Sequence, residues 1–201
     1  MAERVEEQKL PPPGTRMTME EYEALPETMV RMELINGVVV YPFGHPDDEE
    51  RTTVTPAPAL GHQDKLFGLA KLIDRLAAGG KVWIAPVDVY FDDSNTVQPD
   101  ILWVAEGGSC VPDAGKHLRG APDLIVEILS PDSERYDRRD EFELYQCFGV
   151  REYWIADPQA KYVEVYRHEN GVFVRQGVYG PDETFESAVL GKPVDLKGIF
   201  E

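Results

Sequence analysis

Six consecutive residues, Leu124-Ile125-Val126-Glu127-Ile128-Leu129, constrain this chain more than any other stretch. Side chains alternate between the two faces of a strand, and here both faces are apolar. That pattern belongs to a strand buried in the middle of a sheet, not to one with a wet face. One carboxylate interrupts it. Burying Glu127 uncompensated costs free energy, so a cation, a hydrogen-bond donor or a metal is expected beside it. The plainer alternatives are a glutamate on an exposed face or one paired with an arginine. Perturbed carboxylates concentrate at functional sites, which makes Glu127 a candidate.

The rest of the chain supplies elements to surround such a strand. Thr18-Met19-Glu20-Glu21 fits a capping box, which predicts a short helix from Met19 that stops before Pro26. Asn36-Gly37 between Arg31-Met32-Glu33-Leu34-Ile35 and Val38-Val39-Val40-Tyr41 predicts a hairpin. Residues 42–60, with four prolines and the acidic cluster Asp47 to Glu50, read as a loop. From His62 to Ala78 the stripe Leu66, Leu69, Ala70, Ile73, Leu76 and Ala77 predicts a helix ended by Gly79-Gly80. Strands are expected at 82–84, 87–91 and 99–104, a Gly-rich loop over 105–120, and a helix from Ser133 to Phe148 closed by Gly149. A strand at 153–157, a hairpin of 162–166 with 172–178, and strand character near 183–185 and 189–190 complete the chain. The order predicts an α/β (α+β) domain, a mixed sheet flanked by helices with an antiparallel β-rich C-terminal part. Residues 1–16, charged and then proline-rich, read as a flexible arm or extended strap, and 17–201 as a single domain.

Composition narrows the function. The chain has 201 residues, enough for one substantial core. Its 37 acidic and 20 basic residues give a formal net charge of −17. That balance opposes a broad DNA-binding face, because phosphate repels it, but it leaves room for a local basic patch or a carboxylate metal site. The same charge also serves solubility. Cys110 and Cys147 form no Cys-x-x-Cys unit, which disfavours a cysteine zinc site and a disulfide scaffold. Cys147 reads as core and Cys110 as a free thiol in a loop. No apolar run approaches a membrane span and the polar N-terminus is no signal peptide, so the expected location is the cytoplasm. The motifs of P-loop nucleotidases, zinc proteases and serine hydrolases are not seen.

Asp100 follows Pro99 at the mouth of the apolar run Ile101-Leu102-Trp103-Val104. Carboxylates from two neighbouring strand ends would make a hard oxygen site suited to Mg²⁺ or Mn²⁺, able to polarise a phosphodiester and activate water. A turn-capping aspartate is the alternative.

These segments, with Met19-Glu-Glu-Tyr-Glu-Ala-Leu-Pro, Gln98-Pro-Asp-Ile and Gly149-Val-Arg-Glu-Tyr-Trp-Ile-Ala-Asp-Pro, resemble the Uma family of predicted endonucleases, in the PD-(D/E)xK restriction-endonuclease-like superfamily. The resemblance runs from about Met17 to the end. It implies a restriction-endonuclease-like fold and a metal-dependent endonuclease acting on DNA, with Asp100 and Glu127 as metal ligands and Ile128 as a further metal position. Glu33 and His62 match positions near the family's cleft; their alternatives are a surface residue beside a hairpin and a helix cap. A homodimer is a further expectation of this kind. The family's lysine, in a segment resembling Asp-Arg-x-x-Lys-x-Glu-Leu-Tyr, stands here as Glu141 within Asp137-Arg-Arg-Asp-Glu-Phe-Glu-Leu-Tyr145. Lysine there would stabilise developing negative charge, which glutamate cannot do. Arg138 or Arg139 is the candidate to clamp a phosphate instead, unless both lie on a solvated face. The competing expectation is a degenerate member that keeps the fold as a non-cleaving binding or regulatory module.

Overall fold

The computed structural model describes residues 10–26, 28, 30–45, 60–113, 115–130 and 137–201, with the side chains of Asp137 and Arg138 left aside. The first helix, α1 (Met19–Glu23), carries the expected capping box: the Thr18 hydroxyl accepts from the Glu21 N–H, and the Glu21 carboxylate accepts from the Thr18 N–H. It packs on the hairpin of β1 (Glu33–Ile35) and β2 (Val38–Val40) through Met19, Tyr22, Leu34 and Val39. Asn36 and Gly37 both take positive φ, 52° and 71°, as a two-residue hairpin turn requires. Residues 11–16 run along β2 as a strap, with Gly14 N–H donating to the Val39 carbonyl and Tyr41 donating to the Pro11 carbonyl.

Helix α2 (Leu60–Leu76) precedes strands β3 (Lys81–Ile84), β4 (Val89–Asp92), β5 (Asn95–Val97) and β6 (Ile101–Val104). The stretch expected to be a Gly-rich loop contains two short strands, β7 (Val111–Asp113) and β8 (His117–Arg119). Neither is apolar enough to be read locally; β8 forms because β4 offers it a parallel edge, Val89 opposite Leu118. Strand β9 (Leu124–Ile128) is the buried run, and all five residues are buried.

Of the expected helix from Ser133, residues 131–136 lie outside the described residues, as do 46–59 of the expected loop. A π-helical turn over Asp137–Glu141 leads into α3 (Phe142–Cys147). Then follow β10 (Glu152–Asp157), β11 (Tyr162–Glu169), β12 (Val172–Tyr179), β13 (Thr184–Ser187) and β14 (Lys192–Asp195).

Two six-stranded sheets result, ordered β2-β1-β5-β4-β8-β7 and β12-β11-β10-β9-β6-β3. In the second, β9 sits between parallel β10 and antiparallel β6, in the interior position its sequence predicted. Alternation along β9 splits the core. Leu124, Val126 and Ile128 face α2 and the β13–β14 ribbon with Leu69, Ile73, Trp154 and Phe185. Ile125 and Leu129 face the first sheet and α3 with Val89, Leu118, Leu144 and Tyr145. Glu127 shares the second parity, so its carboxyl group enters the layer between the sheets. The two cysteines exchange their expected roles: Cys110 is buried, with burial pushing its thiol up to about 12, and Cys147 is exposed.

Candidate active site

The register of β6 on β9 builds the centre. Ile101 lies opposite Val126, so one step further Asp100 lies opposite Glu127. The two residues interleave. The Asp100 N–H donates to Glu127 Oε2 at 3.3 Å, and the Ile128 N–H donates to Asp100 Oδ2 at 2.8 Å. Asp123, at the opposite end of β9, plays a different part: it accepts from the Ala105 N–H and from Arg151, both at 2.8 Å, and ties a loop to the sheet.

The first sheet delivers Glu33 to the same place. It is fully buried, not a surface residue beside the hairpin. The Gln98 N–H donates to Glu33 Oε1 at 3.2 Å, which fixes β1 against the segment leading to Asp100. Arg31, two residues earlier, lies on the same side of the strand direction and donates from Nε to Glu33 Oε1 at 2.9 Å. Its Nη2 donates to Glu141 Oε1, also at 2.9 Å.

The third contribution comes from the start of α3. Glu141 and Tyr145 are four residues apart, hence one above the other on a helical face. Both are fully buried. The Tyr145 hydroxyl lies 2.8 Å from Glu127 Oε1 and 3.2 Å from Glu141 Oε1, and shares its one proton between them. Burial, then the charges of Glu127, Glu141 and Glu33, hold this phenol well above its usual range, so it acts as a neutral donor. Burial opposes charge on Arg31, but Glu33, Glu141, Glu127 and Asp100 together outweigh it and keep the guanidinium protonated.

His62, in the first turn of α2, approaches from the other face of the sheet, with Nε2 3.4 Å from Asp100 Oδ2. Burial works to lower its pKa, but Asp100 and the Ile128 carbonyl outweigh that and raise it. The ring thus borders the corner where Asp100 and Ile128 meet.

Of the residues expected from sequence, Asp100, Glu127, Glu33, His62 and Ile128 come together. The Arg138 side chain falls outside the described residues, and Arg139 is exposed, 4.0 Å from Asp140. Arg31, Tyr145 and Gln98 were not anticipated. The available signals were weak: a charge two residues before Glu33, and a tyrosine one turn after Glu141 in a stripe that reads as core.

Among the described residues, four carboxyl groups (Glu33, Asp100, Glu127 and Glu141) therefore gather around one guanidinium, with His62 at the rim. Their carboxylate oxygens are hard donors, the type a divalent cation takes. No group of three or more His, Cys, Asp or Glu side chains among the described residues is spaced to hold a metal ion. A cation here would rest on two carboxylates and a backbone carbonyl. No described helix is long and apolar enough to cross a membrane.

A search of curated proteins finds none that matches. Among solved structures, a putative nuclease belonging to DUF820 from Anabaena variabilis superposes with a TM-score of 0.69 at 21% identity, over 92% of this chain and 97% of that one. At that identity the likeness establishes the fold, a mixed α+β architecture of restriction-endonuclease-like type. The sequence of residues 19–194 matches the family model Uma2, described as "Putative restriction endonuclease", and with most of its length covered the chain belongs to the Uma2 family.

Proposed function

We propose that this protein is a metal-dependent endonuclease that hydrolyses phosphodiester bonds of DNA. The observation that carries the reading is the convergence of Asp100, Glu127 and Ile128 at paired ends of β6 and β9, beside buried Glu33. Asp100, Glu127 and the Ile128 carbonyl would hold Mg²⁺ or Mn²⁺; the Ile128 side chain is apolar, so only its backbone can ligate. When bound, such a cation polarises a phosphoryl oxygen and acidifies water. Tyr145 fixes the Glu127 carboxyl by donating to Oε1, and the Ile128 N–H fixes that of Asp100. His62 stands at the cluster's rim with Nε2 3.4 Å from Asp100 Oδ2. The reading includes a cytoplasmic protein that pairs with a second copy of itself; exposed Val172, Val174 and Val178 on β12 support the pairing.

A second reading, a non-cleaving binding module, is favoured by Glu141, which puts an acid where the family carries a base, and by the net charge of −17. Plasmid DNA incubated with the protein in Mg²⁺ or Mn²⁺ separates the two. Under the nuclease reading the wild type nicks, and Asp100→Ala and Glu127→Ala each lose at least about 100-fold, the scale of removing one electrostatic stabiliser. Equal nicking by all three proteins overturns the reading, and DNA binding without nicking favours the second.

A further inference from the structure

We propose that Arg31 is the anion-contacting residue of this site, held by Glu33, Glu141 and Phe43 so that its Nη1 is offered to a phosphate of the bound nucleic acid. This rests on the nucleic-acid reading above.

The argument starts from donors. A guanidinium carries five N–H groups in a fixed plane. Arg31 commits Nε to Glu33 and Nη2 to Glu33 and Glu141. Among the described residues Nη1 makes no hydrogen bond, so both of its N–H groups remain for a ligand. One face of the guanidinium is covered by the Phe43 ring, with Cζ 5.6 Å from the centroid. Two carboxylates and an aromatic plate thus fix the fork's position at little further entropic cost when an anion arrives. The side chain is 13% exposed, which keeps it reachable while its charge is only weakly screened.

Charge gives the reason for such a residue. A site lined by Glu33, Asp100, Glu127 and Glu141 repels a phosphodiester, and phosphoryl transfer builds more negative charge on the equatorial oxygens. Planar, permanently charged arginine suits that anion. Glu141 then has a role as a positioning residue: it fixes Nη2 of Arg31 from the α3 side, while Glu33 fixes it from β1. The acid at position 141 is the counterpart of a base at position 31.

The test measures binding of a short labelled DNA duplex by fluorescence anisotropy in Ca²⁺ across a salt series, and cleavage in Mn²⁺. Arg31→Gln is expected to weaken binding about tenfold or more and to reduce the slope of log affinity against log salt by about one, the signature of one lost phosphate contact. Arg31→Lys should recover part of the affinity. Urea unfolding checks the fold; if Arg31→Gln does not fold, the pair Arg31→Gln with Glu141→Gln removes charge and counter-charge together and takes its place. Unchanged affinity and salt slope in the variant overturn the inference even if the wild type cleaves DNA, in which case the nuclease reading stands alone. Binding that falls as expected in a protein that does not cleave leaves Arg31's role intact and removes the cleavage. A wild type that binds no DNA overturns both.

Discussion

Glu141 is a residue whose meaning changes between sequence and structure. By the sequence resemblance it was expected to stand where a lysine belongs, and restoring lysine there would be the obvious way to gain activity. In the folded protein it is buried and accepts from Arg31 at 2.9 Å and from Tyr145 at 3.2 Å. Glu141→Lys would set an ammonium against that guanidinium. We expect it to destabilise the protein by about 3–5 kcal/mol, the cost of breaking a buried pair while leaving a charge behind. Urea denaturation would read this directly. Adding Arg31→Gln should recover part of the loss, because the introduced ammonium then faces no guanidinium, whereas either change alone should not raise cleavage. A Glu141→Lys protein of unchanged stability would mean the ion pair contributes nothing. Glu127 itself stood out in the sequence because a lone charge in a buried apolar run needs a partner. Arg31 was not, because an arginine at the start of a short strand reads as a solvated residue until β1 is packed against β5 and α3.

At the scale of elements, local chemistry and tertiary pairing divide the fold. The capping box of α1, the Asn36-Gly37 hairpin, the stripe of α2 and the β11–β12 hairpin all follow from periodicity and turn residues, and all form. The β7–β8 pair does not follow, because Val111-Pro112-Asp113 and His117-Leu118-Arg119 have no alternating pattern; β8 is a strand through the edge of β4, and β7 through β8. The turn between α2 and β3 needs glycine for both conformation and space. Gly80 takes φ +77°, and a Cβ there would stand 2.1 Å from the Val104 carbonyl oxygen. Gly80→Ala is therefore expected to cost at least about 2 kcal/mol, since backbone strain and a rigid backbone clash add. Thermal unfolding would detect it as a drop in Tm. An unchanged Tm would mean the β3–β6 edge yields freely. The consequence for the site is indirect, because β6 carries Asp100 at its mouth.

Across the whole molecule the dominant quantity is charge. A net charge of −17 on 201 residues repels itself, and compaction brings those charges together. We expect Tm to rise as NaCl increases from about 0.01 to 0.15 M, where the screening length falls from about 30 to 8 Å, and then to level off. A Tm that falls over that range would show that attractive pairs such as Arg31 with Glu33 and Glu141 outweigh the general repulsion. The same field confines any contact with a polyanion to places where a cation is locally concentrated, which is why the placement of Arg31 beside Glu33 and Glu141 matters more here than the overall balance.

The sequence by itself determined the mixed α and β class and the central place of β9 with its one carboxylate, Glu127, while Asp100 was singled out by the family resemblance. It did so because burial on both faces of a strand leaves a readable apolar run, and any charge inside that run stands out. Only the tertiary structure decided what surrounds them. The resemblance pointed to Glu33 and His62, but Arg31, ahead of β1, and Glu141 and Tyr145, at the start of α3, meet through packing that nothing in local periodicity encodes. The partners of a buried charge are chosen by packing over long sequence separations, such as the 110 residues between Arg31 and Glu141.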